Sequence, residues 1–225
     1  MRLQRLGLVL VPVVLSGCQL LASQATESAS VDPLLELAAV HAEAGRLTHA
    51  LPLIVRAREL APGAVEPKVA LADLLAAQGD DVEAHALYQQ VWRQSATAAH
   101  HFGSFLLTRG EIAQARAVLQ SALADVLYPG RFDVLVLRAE AARQAGDYQA
   151  ALADLTKADR MHHGHAEVAI ARIRLHLAQA EYTDALALYR ELAHNAQDHP
   201  ELEVIAREVA DLRQKLEILR PRFGS

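Results

Sequence analysis

Five short stretches of this chain repeat one pattern: AEAGRLTHAL, AAQGDDVEAH, LTRGEIAQAR, RQAGDYQAAL and AQAEYTDAL. Aligned on them, a turn position falls at Gly45, Gly79, Gly110, Gly146 and Ala180, in steps of 34, 31, 36 and 34 residues. Five residues after each turn stands an alanine: Ala50, Ala84, Ala115, Ala151 and Ala185. Four further on stands a larger apolar residue: Ile54, Tyr88, Leu119, Leu155 and Tyr189. A period of this length marks a stacked-repeat architecture, in which each unit buries its apolar face against the next. Alanine lets two helices approach closely, and the larger residue fills the groove of the neighbouring repeat. The spacing predicts first helices near 32–44, 65–78, 98–109, 132–145 and 166–179, and second helices near 48–60, 82–94, 112–125, 149–161 and 183–195.

The pattern resembles the tetratricopeptide repeat, a 34-residue helix–turn–helix unit. Pro62 stands where that family ends a repeat, and it cannot continue a helix. Gly103 fills the small position of the third repeat's first helix. Composition agrees with close helix packing. Hydrophobic residues are 52% of the chain but aromatics only 4%, so the apolar content is mostly Ala, Leu and Val. The expected fold is all-α: a right-handed α-solenoid of about five repeats over 32–198, closed by a C-terminal capping helix and tail over 199–225. Leu202, Ile205, Val209, Leu212, Leu216 and Leu219 form the apolar stripe of that last helix. Pro200 is well placed for its first turn. The stripe reads as a cap on the fifth repeat, with a coiled-coil or partner contact as the alternative.

The N-terminus carries a different signal. Arg2 and Arg5 precede a short apolar run from Leu6 to Leu15, followed by Ser16, Gly17 and the chain's single cysteine, Cys18. A spanning helix needs about 20 apolar residues, so the run reads as a secretory signal over 1–17. Leu15-Ser16-Gly17-Cys18 resembles a bacterial lipobox, which implies that Cys18 is acylated, for instance by palmitate, and becomes the new N-terminus. Several acyl chains hold a protein firmly at a bilayer. In the sorting system this resembles, an Asp after the cysteine favours the inner membrane. Gln19 stands there instead, which implies the outer membrane, facing the periplasm. Residues 18–31 then read as a lipidated N-terminus and flexible tether. A lone cysteine excludes an internal disulfide and a paired-cysteine metal site. The net charge of −5 argues against nucleic acid as a partner.

Tetratricopeptide arrays are scaffolds, and the resemblance implies a groove lined by the first helices. The family's fifth repeat positions are here Leu35, Val69, His100, Val136 and Ile170, and its ninth are Ala39, Asp73, Ser104, Glu140 and Arg174. The Lys and Asn set with which some relatives clamp a C-terminal carboxylate is absent. Four aliphatics at the fifth positions fit an apolar or amphipathic protein segment, or else pack within the solenoid. Leu35, Val69, His100, Phe102, Ser104, Val136 and Ile170 are the candidate contact residues. His162-His163-Gly164-His165 resembles a metal cluster, but it falls in an inter-repeat turn with no acidic or cysteine ligand beside it. It reads as an exposed loop, and His100-His101, which opens a helix, likewise reads as no metal site. No catalytic motif stands out. The expectation is a non-enzymatic protein with no cofactor, no metal and no small-molecule substrate.

One stretch, HHFGSFLLTRGEIAQARAVLQSALADVLYPGR at 100–131, resembles the type IV pilus biogenesis lipoproteins of the PilF/PilW family. Phe102-Gly103-Ser104-Phe105-Leu106 and Leu127-Tyr128-Pro129 carry the match, with the lipobox and five of the family's usual six repeats. His100 and His101 replace two asparagines, and one long helix replaces the sixth repeat. The resemblance implies a pilotin, which assists outer-membrane insertion and multimerisation of the secretin, its protein partner. A repeat lipoprotein of another envelope machine, such as a Tad-type pilus or an outer-membrane protein assembly complex, is the competing reading. An enzyme using the repeats for attachment is the third.

Overall fold

The computed structural model describes residues 31–195, 201 and 203–210. The expected signal peptide, Cys18 and nearly all of the tether lie outside the described residues, as do Pro200, Leu202, Leu212, Leu216 and Leu219. Val31, expected at the end of the tether, is helical and buried.

Every regular element among the described residues is an α-helix. They are α1 (residues 31–43), α2 (Leu47–Leu60), α3 (Glu66–Gln78), α4 (Asp81–Val91), α5 (Ala96–Thr108), α6 (Ile112–Ala122), α7 (Arg131–Gln144), α8 (Tyr148–Met161), α9 (Ala166–Ala178), α10 (Tyr182–Asn195) and α11 (residues 203–210). Two helices end three residues earlier than the repeat pattern predicts, α4 at Val91 and α6 at Ala122. After α4, Gln94 bonds back to the Gln90 carbonyl through its side chain and to the Val91 carbonyl through its backbone N–H. Ser95 then caps α5 by accepting from Ala98 N–H at 3.1 Å, so α5 begins two residues early. After α6, Asp125 Oδ1 accepts from the backbone N–H of Leu127, which sets a turn in place of another helical residue.

The five turn positions share one geometry. Gly45, Gly79, Gly110, Gly146 and Ala180 all have positive φ, between 59° and 89°. At each, the turn residue's N–H bonds to the carbonyl three residues back, and the next N–H to the carbonyl five residues back, as in Glu181 N–H to His176 O at 2.9 Å. This closes the orphan carbonyls of each first helix. Ala180 takes the left-handed conformation without being glycine, at φ 59°. Ala180→Gly is therefore expected to stabilise the protein by about 0.5–1 kcal/mol, the relief of the Cβ clash exceeding glycine's extra unfolded-state freedom. Urea unfolding followed by far-UV circular dichroism measures it, and a loss of stability would contradict this account of the turn.

The chain divides into two compact units between Leu87 and Tyr88, within α4. In the first unit, Ala38, Ala50, Ile54 and Leu74 form a core joined by Leu35 and Leu71. In the second, α5 and α6 meet at Gly103, where a Cβ would stand 2.5 Å from the Leu119 side chain. That close approach is why a helix-interior glycine is kept despite its entropic cost. Phe132, Leu135, Ala139, Ala151, Leu155 and Leu175 continue the core through α7–α9. Ile205 and Val209 of α11 pack against Ile170, Ile173, Ala185 and Leu192 of the last hairpin. All five repeat alanines are buried, as are Ile54, Tyr88, Leu119 and Leu155, whereas Tyr189 is half-buried.

Candidate functional site

A groove opens between the first helices α7 and α9, lined by Val136, Glu140, Ile170, Arg174 and Glu201 among others. It is small, about 210 Å³. Its floor is aliphatic because Val136 and Ile170 occupy the fifth position of successive repeats. Its rim is charged because Glu140 and Arg174 stand one helical turn further on, on the same face. Glu140 accepts from Arg143 Nε at 2.7 Å and Nη2 at 2.5 Å, and from Gln144 at 2.7 Å. Burial alone pushes the Glu140 carboxyl up, but those bonds and the charges of Arg143 and Arg174 hold it below the usual carboxylate range. It is therefore ionised at neutral pH. Arg174 reaches Glu201 at 3.0 Å and Glu208 at 3.8 Å, both beyond the fifth repeat. Three acids, Glu140, Glu167 and Glu201, thus face one arginine in the groove.

The candidate contact residues divide. Val136 and Ile170 share this groove, Val136 half-buried and Ile170 buried as part of its floor. Leu35 belongs to the first unit, half-buried against its core. Val69, also in the first unit, is buried. His100 and Ser104 are half-buried on one face of α5. Phe102 is 0% exposed. It stacks on Tyr88 at 5.4 Å and lies against Trp92 and Phe105, so it is a core side chain rather than a groove contact. The reason is angular: two residues along a helix is about 200° of rotation, which puts Phe102 opposite His100.

His100 is fixed by Tyr128, whose hydroxyl lies 2.8 Å from its Nδ1. Burial raises the Tyr128 phenol above its ordinary value, a Thr97 hydrogen bond works the other way, and the charge of Asp133 adds to the rise. The phenol therefore stays protonated at neutral pH.

The histidine loop is exposed, yet it differs in detail from the sequence expectation. His162 and His165 pack edge-on against Phe132 at 5.0 and 4.7 Å, and an acid does stand beside the loop, Asp159 at 3.5 Å from His163. Asp159 is one helical turn before His163, so the pair is a helix-end contact (its i,i+4 spacing was readable). One other group could hold a cation: His176, Glu181 and Asp184, whose ligand atoms lie within 4.8 Å of one another at the α9–α10 turn. Its imidazole is already engaged with Glu181 at 2.7 Å. Sequence reasoning also passed over the pairing of Arg174 with Glu201 and Glu208, whose heptad spacing places both acids on one face of the last segment.

Comparison with known proteins agrees with this architecture. Residues 142–207 match the family model described as tetratricopeptide repeat. No curated protein matches the chain. Among solved structures, PilF of Pseudomonas aeruginosa superposes with a TM-score of 0.69 at 20% identity, covering 89% of this chain and 95% of its own. PilW, a widely conserved type IV pilus biogenesis factor, gives 0.69 at 16% identity, covering 87% and 96%. A thermophilic tetratricopeptide protein of Thermus thermophilus gives 0.65 at 21% identity, covering 80% and 99%. The chain thus has the all-α fold of tetratricopeptide repeat proteins, a fold that typically serves as a protein-interaction scaffold, and its residues 142–207 match that family directly.

Proposed function

We propose that this chain is a non-enzymatic, lipid-anchored scaffold of type IV pilus biogenesis, which promotes localisation and multimerisation of the secretin at the outer membrane. The observation that carries the reading is the near-full-length likeness to two pilus proteins, PilF and PilW. The Phe102–Leu106 and Leu127–Pro129 motifs support it from the sequence side. In this reading Cys18 carries acyl chains that hold the repeats at the outer membrane, facing the periplasm. The α7–α9 groove takes a partner segment: aliphatic floor for apolar side chains, acidic rim for a neighbouring Lys or Arg. Holding secretin chains beside one another raises their effective concentration and so favours the ring. No chemical step is involved.

The test is a blot for heat-resistant secretin multimers in outer-membrane fractions of the native host. Strains carry wild-type protein, Cys18→Ala protein or none. The deletion is expected to lose multimers, and Cys18→Ala to lose them from the outer membrane. Equal multimers in all three strains would sink the secretin reading and point to another envelope machine.

A further inference from the structure

The turn of the fifth repeat gathers three metal-ligating side chains. His176 stands in the last turn of α9, Glu181 directly after the left-handed Ala180, and Asp184 in the first turn of α10. One ligand atom from each lies within 4.8 Å of the other two. His176 Nδ1 and Glu181 Oε2 are 2.7 Å apart. His176 is half-buried and both carboxylates are exposed, so an ion reaches all three from solvent. Among the described residues, neither carboxylate forms an ion pair with a Lys or Arg, and Glu181 pairs with the imidazole.

The repeats supply their own comparison. In each turn the residue after the left-handed position bonds back to the carbonyl five before it, which fixes the equivalent positions. The acid at Glu181 recurs as Asp80, Glu111 and Asp147. Asp147 shows what it does there, capping α8 by accepting from Ala150 N–H. The His176 position instead holds Leu75, Leu106 and Ala142 in the three middle repeats, and the Asp184 position holds Glu83, Gln114 and Ala150. The first repeat has His41 in the His176 position, but Arg46 rather than an acid faces it, donating to its Nδ1 at 3.1 Å. Only the fifth repeat joins an imidazole to two carboxylates, and helix capping does not account for the set.

We propose that His176, Glu181 and Asp184 form a binding site for a divalent transition-metal ion, zinc above all. One imidazole nitrogen with two carboxylate oxygens suits zinc, whereas magnesium and calcium take oxygen ligands. Zinc holds such ligands at about 2.0–2.2 Å, so two of them on one ion lie roughly 3.4 Å apart. The exposed carboxylates close that gap by side-chain rotation. The backbone stays in place, held by the Glu181 N–H bond to the His176 carbonyl at 2.9 Å. The ion also offsets the repulsion between two neighbouring carboxylates. Water completes its coordination. Bridging α9 to α10, it clamps the hairpin that carries Ile170 and Arg174. The site stands apart from the α7–α9 groove and does not depend on the secretin reading.

The test titrates zinc into the full-length chain, purified without a histidine tag, by isothermal calorimetry. A single tightest zinc site is expected, with no magnesium binding at the same concentration. Asp184→Asn and His176→Gln are each expected to weaken it by about tenfold or more, with far-UV circular dichroism unchanged. His163→Ala, in the other histidine cluster, is expected to leave it unchanged. Zinc is also expected to raise the melting temperature of the wild type and not that of Asp184→Asn. No zinc binding, equal affinity in Asp184→Asn, or a tightest site lost with His163→Ala overturns the proposal.

Discussion

Replacing Asp154 with alanine is expected to destabilise the protein by about 3–5 kcal/mol, because it strands a largely buried guanidinium. Asp154 is 4% exposed, the one buried charged residue among those described. Arg138 of α7 grips it with two parallel bonds, Nε to Oδ2 at 2.7 Å and Nη2 to Oδ1 at 2.6 Å. Lys157 approaches Oδ1 at 3.2 Å, and Gln120 accepts from Arg138 Nη1. The pair thus ties α7 to α8 in the fourth repeat and reaches back to α6. The ion pair itself is not the source of so large an effect, since desolvation offsets much of its attraction. The effect comes from removing one partner only. Replacing both, as in Arg138→Met with Asp154→Leu, is expected to recover most of the loss. Urea unfolding reads both variants, and Trp92, the single tryptophan, serves as an internal fluorophore in the same unit. A loss below about 1 kcal/mol for Asp154→Ala would place the pair with ordinary surface ion pairs.

The second large effect separates core from contact at Phe102. Phe102→Ala is expected to cost about 3–5 kcal/mol, the usual range for emptying a buried aromatic site. The ring stacks on Tyr88 and contacts the Trp92 and Phe105 rings, so all three lose a neighbour. Phe102→Leu keeps most of the volume and is expected to cost about 1.5 kcal/mol or less while leaving partner capture intact. A contact residue would behave in the opposite way: partner capture would fall with either substitution while stability held. Thermal unfolding paired with co-purification of the partner distinguishes the two.

Phe102 also shows where sequence reasoning met its limit. The repeat register was legible because it rests on local constraints: alanines that must be small for helices to approach, and turn residues that must adopt positive φ. Those constraints placed every hairpin and even singled out Ala180, the one turn without glycine. The face of a contact residue is also fixed by helix periodicity: grouping Phe102 with the groove positions neglects the roughly 200° of rotation that separates it from His100. Other features depend on partners far along the chain. The pairing of Arg174 with Glu201 and Glu208 joins the fifth repeat to the segment beyond it. The exposure of Leu127 follows from bonds made by Arg131 and His100, which no local pattern in Leu127-Tyr128-Pro129 reveals. Early helix ends at Val91 and Ala122 follow from side chains, Gln94 with Ser95 and Asp125, that compete for backbone groups.

In the proposed function, the first-helix groove of the second unit binds a protein. The most direct measurement is co-purification of the secretin with this chain from native-host membranes, comparing wild type with Val136→Lys. Val136 is half-buried at the groove, so a lysine there can extend its charge to water while filling the apolar floor with its stem. The account predicts that wild type brings the secretin down, and that Val136→Lys, with an unchanged melting curve, brings down severalfold less. Equal recovery with both proteins, or none with wild type, would contradict it.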